Sequence, residues 1–195
     1  MTSAERTKIS DPSVMRALAH PTRLALLDYL SHTTDGATAT ESAAVVGLTP
    51  SATSYHLRAL AKAGMIRDAP GRGDGRERVW QTMYRQYSLG VERGDTSEES
   101  RAAETAMVEA VLARQNEKVR QYMAVAHEQT PEWFDVATIT EQTMALTARE
   151  LAKLLKQIDE LTEPFKRLNR ERVPKGARSV SFQIRAVPTD SPSQP

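Results

Sequence analysis

The chain has 195 residues, with Lys+Arg 26 against Asp+Glu 25, a formal net charge of +1 and no cysteine. That length allows one large or two small domains, and the missing thiol excludes disulfides, zinc ribbons and thiolate metal sensing. No apolar run approaches the ~20 residues of a membrane-spanning helix, and the polar start MTSAERTKIS lacks the apolar segment of a secretory signal, so a cytoplasmic protein is expected.

Charge is unevenly placed. Residues 1–90 hold 11 basic and 8 acidic side chains (+3), residues 91–135 hold 5 and 10 (−5), and residues 136–195 hold 10 and 7 (+3). A positive first part suits phosphate contact, while the acidic middle argues against nucleic acid running along it. Low aromatic content and abundant alanine point to a mainly helical α+β protein.

Residues 1–10 are polar and read as mobile. Asp11-Pro12 caps a short helix ending near Ala19. Pro21 opens a second helix to about Ser31, with Leu24, Leu27 and Leu30 as its buried stripe. Residues 32–38 read as a loop, and Thr40 as the cap of a third helix over Glu41 to Val46. Gly47 turns the chain into the most informative stretch, GLTPSATSYHLRALAKAGMI. Thr49 is the cap there, Pro50 takes the first helical position, and Gly64 stands where a helix end needs a left-handed residue. Thr53, Leu57, Leu60 and Ala61 share one face; Ser51, Ser54, Tyr55, Arg58 and Lys62 share the other. A helix with one packed side and one donor-rich side fits a DNA major groove.

Strand-like flanks follow at Met65 to Asp68 and Glu77 to Met83, around a tip with Asp74-Gly75, a dipeptide suited to a hairpin turn. Residues 88–96 read as a polar linker. Thr96 and Glu99 offer a capping box for a long helix reaching about Glu128, with Val108, Leu112, Val119, Tyr122 and Ala126 as an apolar stripe. Some thirty helical residues span roughly 45 Å, too long for one small domain to cover, so pairing with a second copy is expected. Thr130-Pro131 ends that helix. Residues 136–146 read as strand-like, and Thr147 and Glu150 form a second capping box before an apolar-striped helix carrying Leu151, Leu154, Leu155, Ile158, Leu161, Phe165 and Leu168. Val180, Phe182, Ile184 and Ala186 alternate with polar residues as a half-buried strand does. The expected division is a winged helix-turn-helix over 1–88, a dimerisation helix over 96–129, a strand-helix-strand unit over 130–188 and a disordered tail over 189–195.

The run Ala19-His20-Pro21-Thr22-Arg23-Leu24, the segment Ser51 to Leu57, Ala63-Gly64-Met65-Ile66 and the hairpin Gly71 to Trp80 together resemble ArsR-type winged helix-turn-helix regulators over about residues 11–85. The resemblance implies a homodimeric transcriptional regulator, usually a repressor, on an inverted-repeat operator of double-stranded DNA. Carried over by position, Ser51, Ser54, Tyr55 and His56 are base-facing candidates. Arg58 and Lys62 are candidates for phosphate, and Arg72, Arg76 and Arg78 would anchor the wing. The helix that carries the thiols of the founding metal sensors is here Glu41-Ser42-Ala43-Ala44-Val45-Val46, without one.

His20, His32, His56 and His127 lie far apart in sequence, and no nucleophile, base and orienting acid assemble, so no metal, cofactor or enzyme is expected. Trp133, Phe134, Leu151 and Phe182 are either ordinary core or the lining of a small-molecule effector pocket. A winged-helix adaptor that binds protein instead of DNA is the alternative function; cations on both helix and wing favour DNA.

Overall fold

The computed structural model describes residues 7–71, 77–84, 87–89, 97–166 and 173–189. The first helix, α1 (Pro12–Leu18), starts where Asp11 Oδ1 accepts from the Ser13 amide at 2.7 Å. The next, α2 (Pro21–Ser31), starts where His20 Nδ1 accepts from the Thr22 amide at 3.2 Å. Each begins with proline, whose missing N–H is an orphan donor at that position in any helix. After α2 come β2 (Ala37–Thr38), α3 (Ala39–Val46) and α4 (Pro50–Lys62).

A core closes between these helices. Leu18, Leu26, Leu30, Leu57, Leu60 and Met65 are at most 2 % exposed. Burying each such side chain stabilises the fold by about 1.5–3 kcal/mol. Beside the core, β4 (Val79–Thr82) is the middle strand of a three-stranded antiparallel sheet, between β2 and β3 (Ile66–Ala69). Its registers are Ala37 opposite Trp80 and Ile66 opposite Thr82. Gly36 enters this sheet at φ +71°, and a Cβ there would stand 2.4 Å from the Trp80 carbonyl oxygen, so only glycine lets the strands close. The architecture is a winged helix, α+β and mainly helical.

Behind it lies α5 (Glu98–Ala124), capped by Ser97, with Glu98 and Glu99 favourably placed at the positive end of the helix dipole. Its first turns bury Ser100, Ala103 and Met107 on the core side, where it packs on α1. Further along, Arg114 and Lys118 both reach Asp28 of α2, at 2.8 and 2.9 Å. A 3-10 turn (Ala126–Glu128), α6 (Pro131–Val136) and α7 (Ala148–Thr162) follow.

Several expectations need correction. Thr7–Ile9 is not a loose polar end: it forms β1 and pairs in parallel with β5 (Tyr87–Leu89), where the sequence read a linker beginning. Residues 37–38, read as loop, supply β2. The cap of α3 is Thr38, not Thr40, because Thr38 stands three residues before Glu41 and the two close a reciprocal capping box; the Thr40 hydroxyl donates to Glu77 instead. The cap of α5 is Ser97, accepting from the Ser100 amide at 3.2 Å, rather than Thr96. The long helix ends at Ala124, short of the expected Glu128, and Pro131 opens α6 instead of ending it.

The largest correction concerns the C-terminal strands. Neither 137–146 nor 179–189 is in a ladder, so the described part of 130–188 holds α6, α7 and a 3-10 turn at Glu163–Phe165 but no strand. Val180, Phe182 and Ile184 are 66, 68 and 47 % exposed, and no neighbouring strand lies against them among the described residues. Period-two alternation specifies a half-buried strand only when a sheet is there to cover one face. The Thr147–Glu150 capping box of α7 is present. The Asp74-Gly75 turn, most of the 88–96 linker, Leu168 and the tail from 190 lie outside the described residues.

Candidate nucleic-acid interface

The helix α4 is held in place by its two ends and one face. Thr49 Oγ1 accepts from the Ala52 amide at 3.3 Å, and Pro50 sets the first turn. At the other end Gly64 is left-handed, the Gly64 amide donates to Ala61 and the Met65 amide to Leu60, each at 3.0 Å. That paired arrangement satisfies carbonyls that a helix end otherwise leaves open. Gly47, at φ +66°, ends α3 and sets the turn between the two helices. Thr53, Leu57 and Leu60 are buried, fixing the rotation of α4 about its axis.

That rotation exposes the opposite face. Ser51, Tyr55, Arg58 and Lys62 are exposed, Tyr55 by 59 %, and Ser54 is half-buried beside them.

His56 sits differently from its neighbours. Its ring lies 4.7 Å from that of His20 and 5.4 Å from that of Tyr55, edge-on to the tyrosine. It is half-buried, and its Nδ1 is buried with no hydrogen-bond partner among the described residues. Burial, then the neighbouring His20 and Arg23, hold the His56 pKa below the ordinary imidazole value. Burial and then Arg23 do the same to His20. Two histidines distant in sequence are thus brought together where α4 packs on the start of α2. Tyr55 is carried on the outer edge of that pair.

At the wing, Arg78 is exposed at the foot of β4; it pairs with Asp68 across the hairpin at 3.1 Å and lies over the Trp80 ring at 5.4 Å. Arg72 and Arg76 lie outside the described residues. One cation escaped the sequence reading. Arg67 is exposed on β3 and donates to Gln81 on β4 at 3.4 Å; the burial along Ile66–Ala69 does not alternate, since Arg67 and Asp68 are both exposed, so period two gave no signal for it.

The four apolar residues proposed as effector lining are dispersed. Phe182 borders a cavity between α2, α5 and the C-terminal segment. Trp133 does not border it and instead lies under the Arg178 guanidinium at 5.0 Å. Phe134, 49 % exposed, and Leu151 on α7 do not border it either.

With this geometry in hand, comparison with known families gives one match, a helix-turn-helix domain at residues 18–69. The domain is a helix-turn-helix. The matched span runs from the end of α1 through α2, α3, α4 and β3, so it contains the exposed face of α4 whole. It points to a DNA-binding regulator. No curated protein matches the chain. Among the described residues no helix is long and apolar enough to cross a membrane.

Proposed function

We propose that the chain is a sequence-specific transcriptional regulator of the ArsR type, a repressor that binds an inverted-repeat operator as a homodimer. The observation that carries the reading is the two-sidedness of α4: Leu57 and Leu60 are 0 % exposed, while Tyr55, Arg58 and Lys62 face solvent. In this reading Ser51, Ser54 and Tyr55 meet base edges, Arg58 and Lys62 meet phosphates, and the wing, with Arg72, Arg76 and Arg78, lies along the backbone. His56 supports Tyr55 from behind.

Dimerisation is supported by apolar surface that the chain leaves open. Val108, Leu112, Val119 and Tyr122 of α5 are only half-buried and lie outside the core cluster. On α7, Leu154, Leu155 and Ile158 are half-buried and Leu161 is 71 % exposed; no residue of that helix is buried. A second copy that covers both stripes would set two α4 helices at two half-sites.

Sedimentation of the purified chain, with anisotropy against a random duplex pool over a salt series, tests this. The expected result is a dimer whose affinity falls steeply with salt. A monomer, or weak binding indifferent to salt, overturns it.

A further inference from the structure

The cavity bordered by Phe182 has a volume of about 270 Å³. We propose that it is a binding site for a small organic carboxylate. Its apolar wall is Leu24 and Leu27 of α2, Val111 of α5 and Met65 beyond α4. Its charged wall is Asp28, Arg114 and Lys118, two cations and one anion, so the lining carries one positive charge more than it neutralises.

Asp28 accepts from Arg114 at 2.8 Å and from Lys118 at 2.9 Å. Burial raises its pKa, but the two hydrogen bonds and the two charges outweigh that and hold it below the usual carboxylate value. Asp28 is therefore ionised and shared between two cations. Beside that shared pair, Arg114 Nε is buried and has no hydrogen-bond partner among the described residues. A buried donor without an acceptor is costly, and a planar guanidinium fork is matched by a carboxylate.

These features select the ligand class. A cation is repelled by the surplus positive charge. A neutral molecule leaves that charge in place. A dianion exceeds it and meets an apolar wall. A monocarboxylate with a short hydrocarbon body meets both walls. The volume is just below the range of about 300–1,000 Å³ typical for drug-sized ligands, so the body is small.

The C-terminal segment borders the outer side. Gln183 donates to the Gln115 carbonyl at 3.4 Å, and Arg185 donates to the Gln115 and Asn116 side chains at 3.1 and 3.2 Å. Those contacts fall on the residues following Arg114, so Phe182 is held at the rim next to the charged wall. This gives the segment from 180 to 185 a role as a flap tied to α5 rather than as a strand.

The test uses the full chain and a series of butyrate, hexanoate, octanoate, benzoate and phenylacetate at millimolar concentration. The matching amides and inorganic phosphate are run beside them. Readouts are the melting temperature and the Arg114 Nε–H resonance. At least one acid is expected to raise the melting temperature and move that resonance downfield, while its amide does neither. Lys118→Met is expected to weaken the acid roughly ten- to hundredfold. Asp28→Asn, which removes the competing carboxylate, is expected to tighten it. Phe182→Ala, at a position 68 % exposed, is expected to weaken it severalfold.

The proposal is overturned if no acid in the series acts, if phosphate acts as well as the acids, or if Lys118→Met and Asp28→Asn shift affinity in the same direction. The site stands on these side chains alone, so DNA binding by the same preparation is a separate readout.

Discussion

Tyr55 and Leu57 are two residues apart on α4 and should behave as opposites. Leu57 is 0 % exposed and packs in the core; Tyr55 is 59 % exposed. Leu57→Ala removes buried methyl groups and leaves a cavity, which costs about 2.7–5 kcal/mol. At about 2–4 °C per kcal/mol for a chain of this size, the melting temperature should fall by roughly 5–20 °C. Tyr55→Ala loses only its edge contact with the His56 ring, 5.4 Å away. That is worth at most about 1.5 kcal/mol. Its effect should appear on DNA instead, as a loss of discrimination of about 1–3 kcal/mol at one base position. Scanning calorimetry and competition binding on single-substituted operators measure the two effects separately. If Tyr55→Ala destabilises the fold as much as Leu57→Ala does, or leaves every base preference intact, the two-sided reading of α4 is wrong.

Three further outcomes follow from the same geometry. Arg58→Ala and Lys62→Ala should weaken all sequences alike and each reduce the salt slope by about 0.9, read by anisotropy from low to moderate salt. His20 and His56 are both held below the ordinary imidazole value, so the unfolded chain binds more protons than the folded one. Stability is therefore full above about pH 6.5 and declines as pH falls through the folded values. Urea midpoints at about pH 7.5 and about pH 5.5 should show that decline, and His56→Gln should reduce it. Gly36→Ala should cost about 3 kcal/mol or more, because a left-handed backbone and a carbonyl contact act together. Gly47→Ala, left-handed but with open space around it, should cost only about 1–2 kcal/mol by thermal melting.

The parts of the fold legible in the sequence are those whose causes are local. Asp11-Pro12, Thr49-Pro50 and Gly64 announce helix ends because capping is decided within four residues. Leu24, Leu27 and Leu30 announce a packed face for the same reason. The parts that escaped depend on distant partners. β1 exists only because Tyr87–Leu89 lies beside it in space, and a parallel pair leaves no hairpin signature between its strands. The alternation at 180–186 is real, yet alternation cannot say whether a sheet is present to receive it. Thr38 and Thr40 are both plausible caps by type; the Glu41 side chain decides between them. At the candidate site, exposure of Tyr55, Arg58 and Lys62 follows from helical spacing. The turn of His56 toward His20 does not, because those residues meet only once α4 packs on α2. The same holds for Asp28, Arg114 and Lys118, which reading along the chain gave no reason to join.

In the proposed function the outer face of α4 reads duplex DNA as one of a symmetric pair. Selection of bound sequences from a randomised duplex library by the purified full chain tests it most directly. The expected selection is an inverted repeat whose half-site centres lie about one helical turn, or a whole number of turns, apart. Recovery of no enriched sequence, or of a single unrepeated element, would contradict it.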